Sequence, residues 1–253
     1  MNTMNNQHAK VRYSLIDALR GVSLVNMVLY HFLYDVFVIY GVNTRWIFEP
    51  PVVIWERYIC FSFIIISGIS MNFSSHAYRR GLVINACGLL LTLVTAVAIP
   101  SQVIWFGVLN LIGCAMLICQ VLRKVLNRLN PMLGAALSFL LFALCYGVPE
   151  GYAGFFGLRL ISLPDILYEL KFTAFLGLPS KGFYSSDYFP LIPWLFLFLF
   201  GYFLWRAIAK YKWDRLFTVK IPLLGAIGRH TLWVYLAHQP LLMGLCFLIF
   251  GYF

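Results

Sequence analysis

Residues 14–40 read SLIDALRGVSLVNMVLYHFLYDVFVIY. As a helix rising about 1.5 Å per residue, this apolar stretch is long enough to cross the roughly 30 Å hydrocarbon core of a bilayer. It carries Asp17, Arg20, His31 and Asp35. At about 100° per residue, Asp17 and Asp35 project in the same direction, with His31 about 40° and Arg20 about 60° away on the same side. The ionisable groups thus share one stripe of an otherwise apolar helix. Ionisable groups at membrane depth are costly, so they face a bundle interior or a wet cavity and mark function. The competing explanation puts Asp17 and Arg20 at the membrane edge and makes His31–Asp35 a structural pair.

The rest of the chain has the same character. Hydrophobic residues make up 62% of the 253 and charged residues 11%, against about 25% charged in soluble domains. This composition predicts an all-α, polytopic transmembrane helix bundle forming a single domain over residues 1–253. Seven spans are expected, at roughly 14–37, 52–73, 81–99, 103–122, 132–148, 190–209 and 222–250. Ser14 with Asp17 three residues on fits a capping box opening the first. The N-terminal MNTMNNQHAKVR leads straight into a span, without the cleavage-site pattern of a signal peptide.

Residues 149–189 form the one long connection, rich in Gly, Pro and aromatics. An interfacial helix near 155–178 is expected there rather than an eighth span, because Pro164, Asp165, Glu169 and Lys171 would be costly at mid-membrane. Asp187, ahead of Pro190 and Pro193, reads as the start of the next helix.

The formal charge is +10, but its distribution argues against nucleic acid. With the N-terminus cytoplasmic, the inner segments hold Lys10, Arg12, Arg79, Arg80, Arg123, Lys124, Arg128, Arg206, Lys210, Lys212, Arg215 and Lys220. The outer segments hold only Arg45, Arg159, Lys171 and Lys181. Twelve against four is a positive-inside bias, placing the chain in the cytoplasmic (inner) membrane with its N-terminus inside. The six Cys lie in apolar segments with no metal-ligand spacing, so no metal site is expected.

Several polar residues could carry chemistry. His31 and Asp35 stand at i, i+4, where a carboxylate could orient an imidazole as a general base. Counted from Ser14, His31 lies about 26 Å along the helix, toward the outer half of the membrane. Arg79–Arg80 are either a topology signal at the lipid headgroups or a dock for a phosphorylated cytosolic ligand, whose oxygens the guanidinium forks match. The segment GRHTLWVYLAHQP puts His238 and Gln239 deep in the last span, as hydrogen-bonded structural residues or as the lining of a polar cavity. Asn110 interrupts span four, where an interhelical hydrogen bond is expected. No G-x-S-x-G elbow, phosphate-cradling glycine loop or metal cluster is present, which argues against a serine hydrolase or P-loop enzyme.

The ordered blocks IDALRGVSLVNMVLYHFLYD, FIIISGIS, FGVLNLIG, SSDYFPLIPW and GRHTLWVYLAHQP resemble a bacterial group of membrane proteins. This group is related to the catalytic region of heparan-alpha-glucosaminide N-acetyltransferase, and the resemblance runs over about residues 10–250. The opening block also resembles the wider transmembrane acyltransferases of cell-surface polysaccharides. The resemblance implies an acetyl-CoA-dependent acetyltransferase of the cell envelope, with acetyl-CoA as co-substrate. Cytosolic acetyl-CoA would give its acetyl group to an extracytoplasmic glycan or amino sugar, at an amine or hydroxyl. A bundle histidine would act as base or acyl carrier. By position that histidine is His31, with Asp35, while Arg20, Arg79 and Arg80 hold the CoA phosphates. Asp17, Asn110, Asp187, His238 and Gln239 would line the substrate cavity. In the family the fourth-span motif usually reads F-G-I-L-H, and here Asn110 stands at the His position. A homodimer is a candidate assembly. The alternative is a proton-coupled small-solute transporter using the His31–Asp35 pair, against which stands the lack of an inverted repeat.

Overall fold

The computed structural model describes residues 12–251. It is mostly helical. Among the described residues, seven helices are long and apolar enough to cross a membrane: Ser14–Ile39, Pro50–Met71, Ala77–Ala98, Val108–Leu126, Pro131–Glu150, Leu191–Lys210 and Thr231–Phe250. In chain order they are built on α1 (Ser14–Tyr34, continued by a π-helical turn over Asp35–Ile39), α2 (Pro50–Met71), α3 (Ala77–Ala98), α4 (Val108–Leu126), α5 (Pro131–Cys145), α6 (Leu191–Lys210) and α8 (Thr231–Phe250). The all-α polytopic bundle is therefore correct. Some of its boundaries are not. The last expected span, 222–250, is broken: a short helix, α7 (Pro222–Arg229), stops before His230, and α8 starts at Thr231. Twenty residues rise about 30 Å, so α8 crosses the hydrocarbon without α7.

The helices fall into two compact units, one comprising the chain up to Phe63 together with Ala209–Phe253, the other Ile64–Ile208. In the first unit α1 lies directly on α7. A Cβ on Gly228 would stand 1.8 Å from the Asp17 carbonyl oxygen, and one on Gly21 would stand 2.1 Å from that of Leu224. Only glycine permits this backbone-to-backbone approach, which lipid-embedded helices use because apolar burial alone does not hold them together. The start of α2 joins through a core of Leu24, Met27, Ile59 and Phe63, with Trp55 and Tyr235 packed on it. Two hydrogen bonds add to this packing: Trp55 Nε1 donates to Asn26 Oδ1 at 2.9 Å, and the Ser23 and Ser62 hydroxyls meet at 2.8 Å.

Ser14 does not cap α1. Tyr13 holds the N-cap position with no side-chain bond to the helix, and Asp17 is taken up by two arginines instead. Its carboxylate accepts from Arg12 Nη2 at 2.8 Å and Arg20 Nη1 at 3.0 Å.

In the second unit, Tyr202 of α6 donates from its hydroxyl to Asn127 Oδ1 at 2.6 Å and takes Asn72 Nδ2 on its carbonyl at 3.2 Å. Arg206 covers the carbonyls at the end of α4, donating to Leu126 O at 2.7 Å, which Leu129 N also meets at 3.3 Å, and to Asn127 O at 2.9 Å. Several outward faces are apolar. On α3, Leu89, Leu93 and Val97 are exposed, and on α8 Trp233, Leu241 and Leu248, as lipid contact requires.

The long connection holds no interfacial helix. An antiparallel hairpin of β1 (Tyr152–Phe155) and β2 (Leu158–Ser162) occupies its first part, followed by single turns at Asp165–Tyr168 and Lys171–Leu176. The hairpin turn is Phe156–Gly157, both with positive φ (45° and 96°), the backbone that matches strand twist. Tyr168 and Tyr188 pin the rest, donating to the carbonyls of Val148 and Ala174. Beyond it, Ser185 and Ser186 bind the loop before α4: Ser186 N donates to Val103 O at 3.0 Å and Trp105 N to Ser185 Oγ at 2.9 Å. This pairing draws residues 103–107 out of helix and moves the start of span four from 103 to Val108.

Candidate active site

The stripe on α1 is two sites, not one. Asp17 and Arg20 form the ion network with Arg12 at the helix start, where Arg20 Nη1 also reaches the Gly228 carbonyl of α7 at 3.4 Å. His31 and Asp35 lie eleven and fifteen residues beyond Arg20, about 16 and 22 Å along the helix.

At that far end α1 meets the middle of α8. The ring centroid of His31 is 4.9 Å from that of His238, the planes tilted by 37°. Asp35 is fully buried. It does not orient His31 as the i, i+4 spacing suggests, because its Oδ1 takes a hydrogen bond from Gln239 Nε2 at 2.8 Å. The pairing thus runs across helices, with His against His and carboxylate against amide. Both helices are irregular here. α1 passes into its π turn at Asp35, and α8 contains Pro240, which has no N–H to give the preceding turn. π turns are frequent at functional sites.

The cluster holds unmade hydrogen bonds. Asp35 Oδ2, His238 Nε2 and Gln239 Oε1 are buried and have no partner. Each such group costs about 1–3 kcal/mol. Three in one place, on two distorted helices, describe a site built for an occupant more readily than a packing contact. Aromatic side chains wall it: Tyr30 sets its edge to His31 at 5.8 Å, and Tyr34, Trp46 and Trp55 stand around Tyr30. Sequence reading selected all four polar members but missed the His–His contact and the Gln239–Asp35 bond. The HQP triplet carried that signal, since a proline just after two polar residues marks a helix interior with free backbone groups.

The other predicted residues lie in the second unit. Asn110 is buried on α4 against Gly88 of α3, where a Cβ would stand 2.6 Å from its Oδ1. It fills a glycine notch, and no hydrogen bond joins it to α3 among the described residues. Asp187 does not start α6. Its Oδ2 accepts from Val108 N at 3.3 Å and so serves the first turn of α4. Arg79 and Arg80 are exposed in the first turn of α3 rather than at the end of α2. Among the described residues, no group of three or more His, Cys, Asp and Glu is placed to hold a metal ion.

The fold is that of a polytopic membrane helix bundle, with an imidazole pair and a carboxylate sunk between two irregular helices. The family model described as heparan-alpha-glucosaminide N-acetyltransferase, catalytic, matches residues 12–240. The chain belongs to that family of membrane acetyltransferases, and the match takes in every residue of the buried cluster. No curated protein and no solved structure matches the chain.

Proposed function

We propose that the protein transfers an acetyl group from acetyl-CoA on the cytosolic side of the inner membrane to a sugar amine or hydroxyl on the other. One acyltransferase domain over residues 1–253 would do this, with the N-terminus cytoplasmic as the twelve-to-four distribution of Lys and Arg favours. The observation that carries the reading is the buried cluster of His31, Asp35, His238 and Gln239, with its three unmade acceptors, inside the stretch that matches the catalytic family. A bound amine or hydroxyl brings the donors these acceptors lack.

In this reading His31 is the base. Its half-buried ring takes the nucleophile's proton as the nitrogen or oxygen attacks the thioester carbonyl. Asp35, in the same cluster and held by Gln239, would favour the imidazolium that forms wherever it is ionised. A thioester is already activated, so positioning and one base suffice. Arg79 and Arg80, both exposed, are assigned to the donor's phosphates, and Arg20 of the other unit is a third candidate for that role. Asp17 holds Arg20 in place for that role. Asn110 and Asp187 support the bundle around α4.

The test uses purified full-length protein and labelled acetyl-CoA. The wild type binds acetyl-CoA and passes the label to glucosamine. His31→Ala binds it with near-normal affinity but transfers roughly 10²–10⁴-fold more slowly, and Arg79→Ala/Arg80→Ala weakens binding, more so in raised salt. Wild-type protein that neither binds nor transfers sinks the reading, and full transfer by His31→Ala sinks its base.

A further inference from the structure

We infer that His238 is the terminal proton acceptor of the reaction, drawing through His31 the proton that the nucleophile gives up. The inference rests on the acyl-transfer reading above.

The tautomer of His238 follows from its partner. Nδ1 faces the backbone carbonyl of Tyr235, three residues earlier on the same helix. A carbonyl oxygen only accepts, so Nδ1 carries the hydrogen and Nε2 of the neutral ring is a bare lone pair. That Nε2 is buried without a partner, in a side chain only 8% exposed. A ring present only to fill space would be a phenylalanine, with no acceptor to leave unmade. Among the polar groups of this cluster, His238 pairs a fixed tautomer with a free proton-accepting atom.

His31 completes the path. Its ring touches that of His238 at 4.9 Å, and it is half-buried where His238 is closed off. The two imidazoles are therefore in contact, and His238 brings a closed-off accepting nitrogen to the pair. The Asp35 carboxylate lies in the same cluster with Oδ2 unpartnered.

The balance closes on these groups and a CoA thioester. The nucleophile's proton passes to one ring nitrogen of His31 as the new C–N or C–O bond forms. The proton on the other nitrogen of His31 moves to His238 Nε2, giving an imidazolium whose Nδ1–H stays on Tyr235 O. The tetrahedral centre then collapses, the C–S bond breaks and the thiolate departs. The proton returns through His31 to the sulfur, and both rings are neutral again. The rings share no hydrogen bond in this state, so His31 turns about its χ2 to hand the proton on.

His238→Phe tests this in the detergent-solubilised full chain, because it keeps a flat ring against His31 and removes both nitrogens. With labelled acetyl-CoA as donor and glucosamine as probe acceptor, kcat falls about 10²-fold or more. KM for acetyl-CoA stays within about twofold. Adding His31→Ala lowers the rate little further, because the two act as a unit. Independently of activity, ¹⁵N spectra of histidine-labelled protein, with the His238 signals assigned by their loss in His238→Phe, show a protonated Nδ1 and a bare Nε2. A His238→Phe enzyme with wild-type kcat overturns the inference, as does an Nε2–H tautomer. Wild-type protein without acetyl transfer overturns the acyl-transfer reading, and the proton path with it.

Discussion

Tyr13 shows how single side chains fasten this protein outside the membrane. Its hydroxyl donates to Asp214 Oδ2 at 2.8 Å, tying the entry of α1 to the turn ahead of α7. That bond, then burial, then the charge of Asp214 raise the phenol above its ordinary value of 10.0. A raised value means the folded state holds the proton more tightly. The contribution is therefore complete below pH 10.0 and fades as pH climbs through the raised value. Tyr13→Phe is expected to cost about 0.5–1 kcal/mol, because the contact is half exposed. Melting curves in detergent should show the variant below wild type at pH 8, with the gap narrowing above pH 10. Equal melting temperatures at both would mean the bond contributes nothing. Asp187 makes the same point about position. Its carboxylate suits a helix N-terminus, yet the helix it serves begins 79 residues earlier.

Elements as a whole were the most legible level. Uninterrupted apolar runs of about twenty residues have few fates other than a transmembrane helix, and all seven are present. What escaped detection depends on residues far apart in sequence. The start of α4 is set by Ser185 and Ser186, and the end of α7 by its tight seat on α1. The hairpin escaped because Leu158, Leu160 and Ile161 read equally well as helix, and only the positive φ at Phe156 and Gly157 decides for strand. In the candidate site the residue types were legible, but the i, i+4 rule joined His31 to Asp35 when Asp35 bonds to Gln239 on α8. The α1–α7 crossing yields a prediction at this scale. Gly228→Ala puts a methyl 1.8 Å from a carbonyl oxygen, and should cost at least about 3 kcal/mol or abolish folding. Gly244→Ala, with nothing within 4 Å, is the control. Size-exclusion profiles and melting in detergent compare them, and equal behaviour would mean α1 and α7 can part without loss.

For the molecule as a whole, the unequal distribution of Lys and Arg makes a prediction about sidedness. In a background free of native cysteines, Lys181→Cys should react with a membrane-impermeant thiol reagent added from outside, and Ser75→Cys should not. Both positions are exposed, whereas Ser185 is bound to Trp105 and unsuitable. The opposite labelling would invert the orientation and move the donor to the other face. The first span also bears on hydrophobic mismatch. Ser14–Ile39 is 26 residues, about 39 Å against roughly 30 Å of hydrocarbon. Strong tilting would drag Asp17 and its two arginines into lipid. If the ion network and the α7 contact hold the first turns at headgroup level, the excess length protrudes. From Gly21 to Ile39 the helix then spans about 28 Å. Counted from Gly21, His31 would lie about 15 Å in, near the middle of that span, where counting from Ser14 puts it toward the outer half. In the proposed transfer, donor and acceptor would then travel equal depths, each crossing one leaflet inside protein before the acetyl group changes hands.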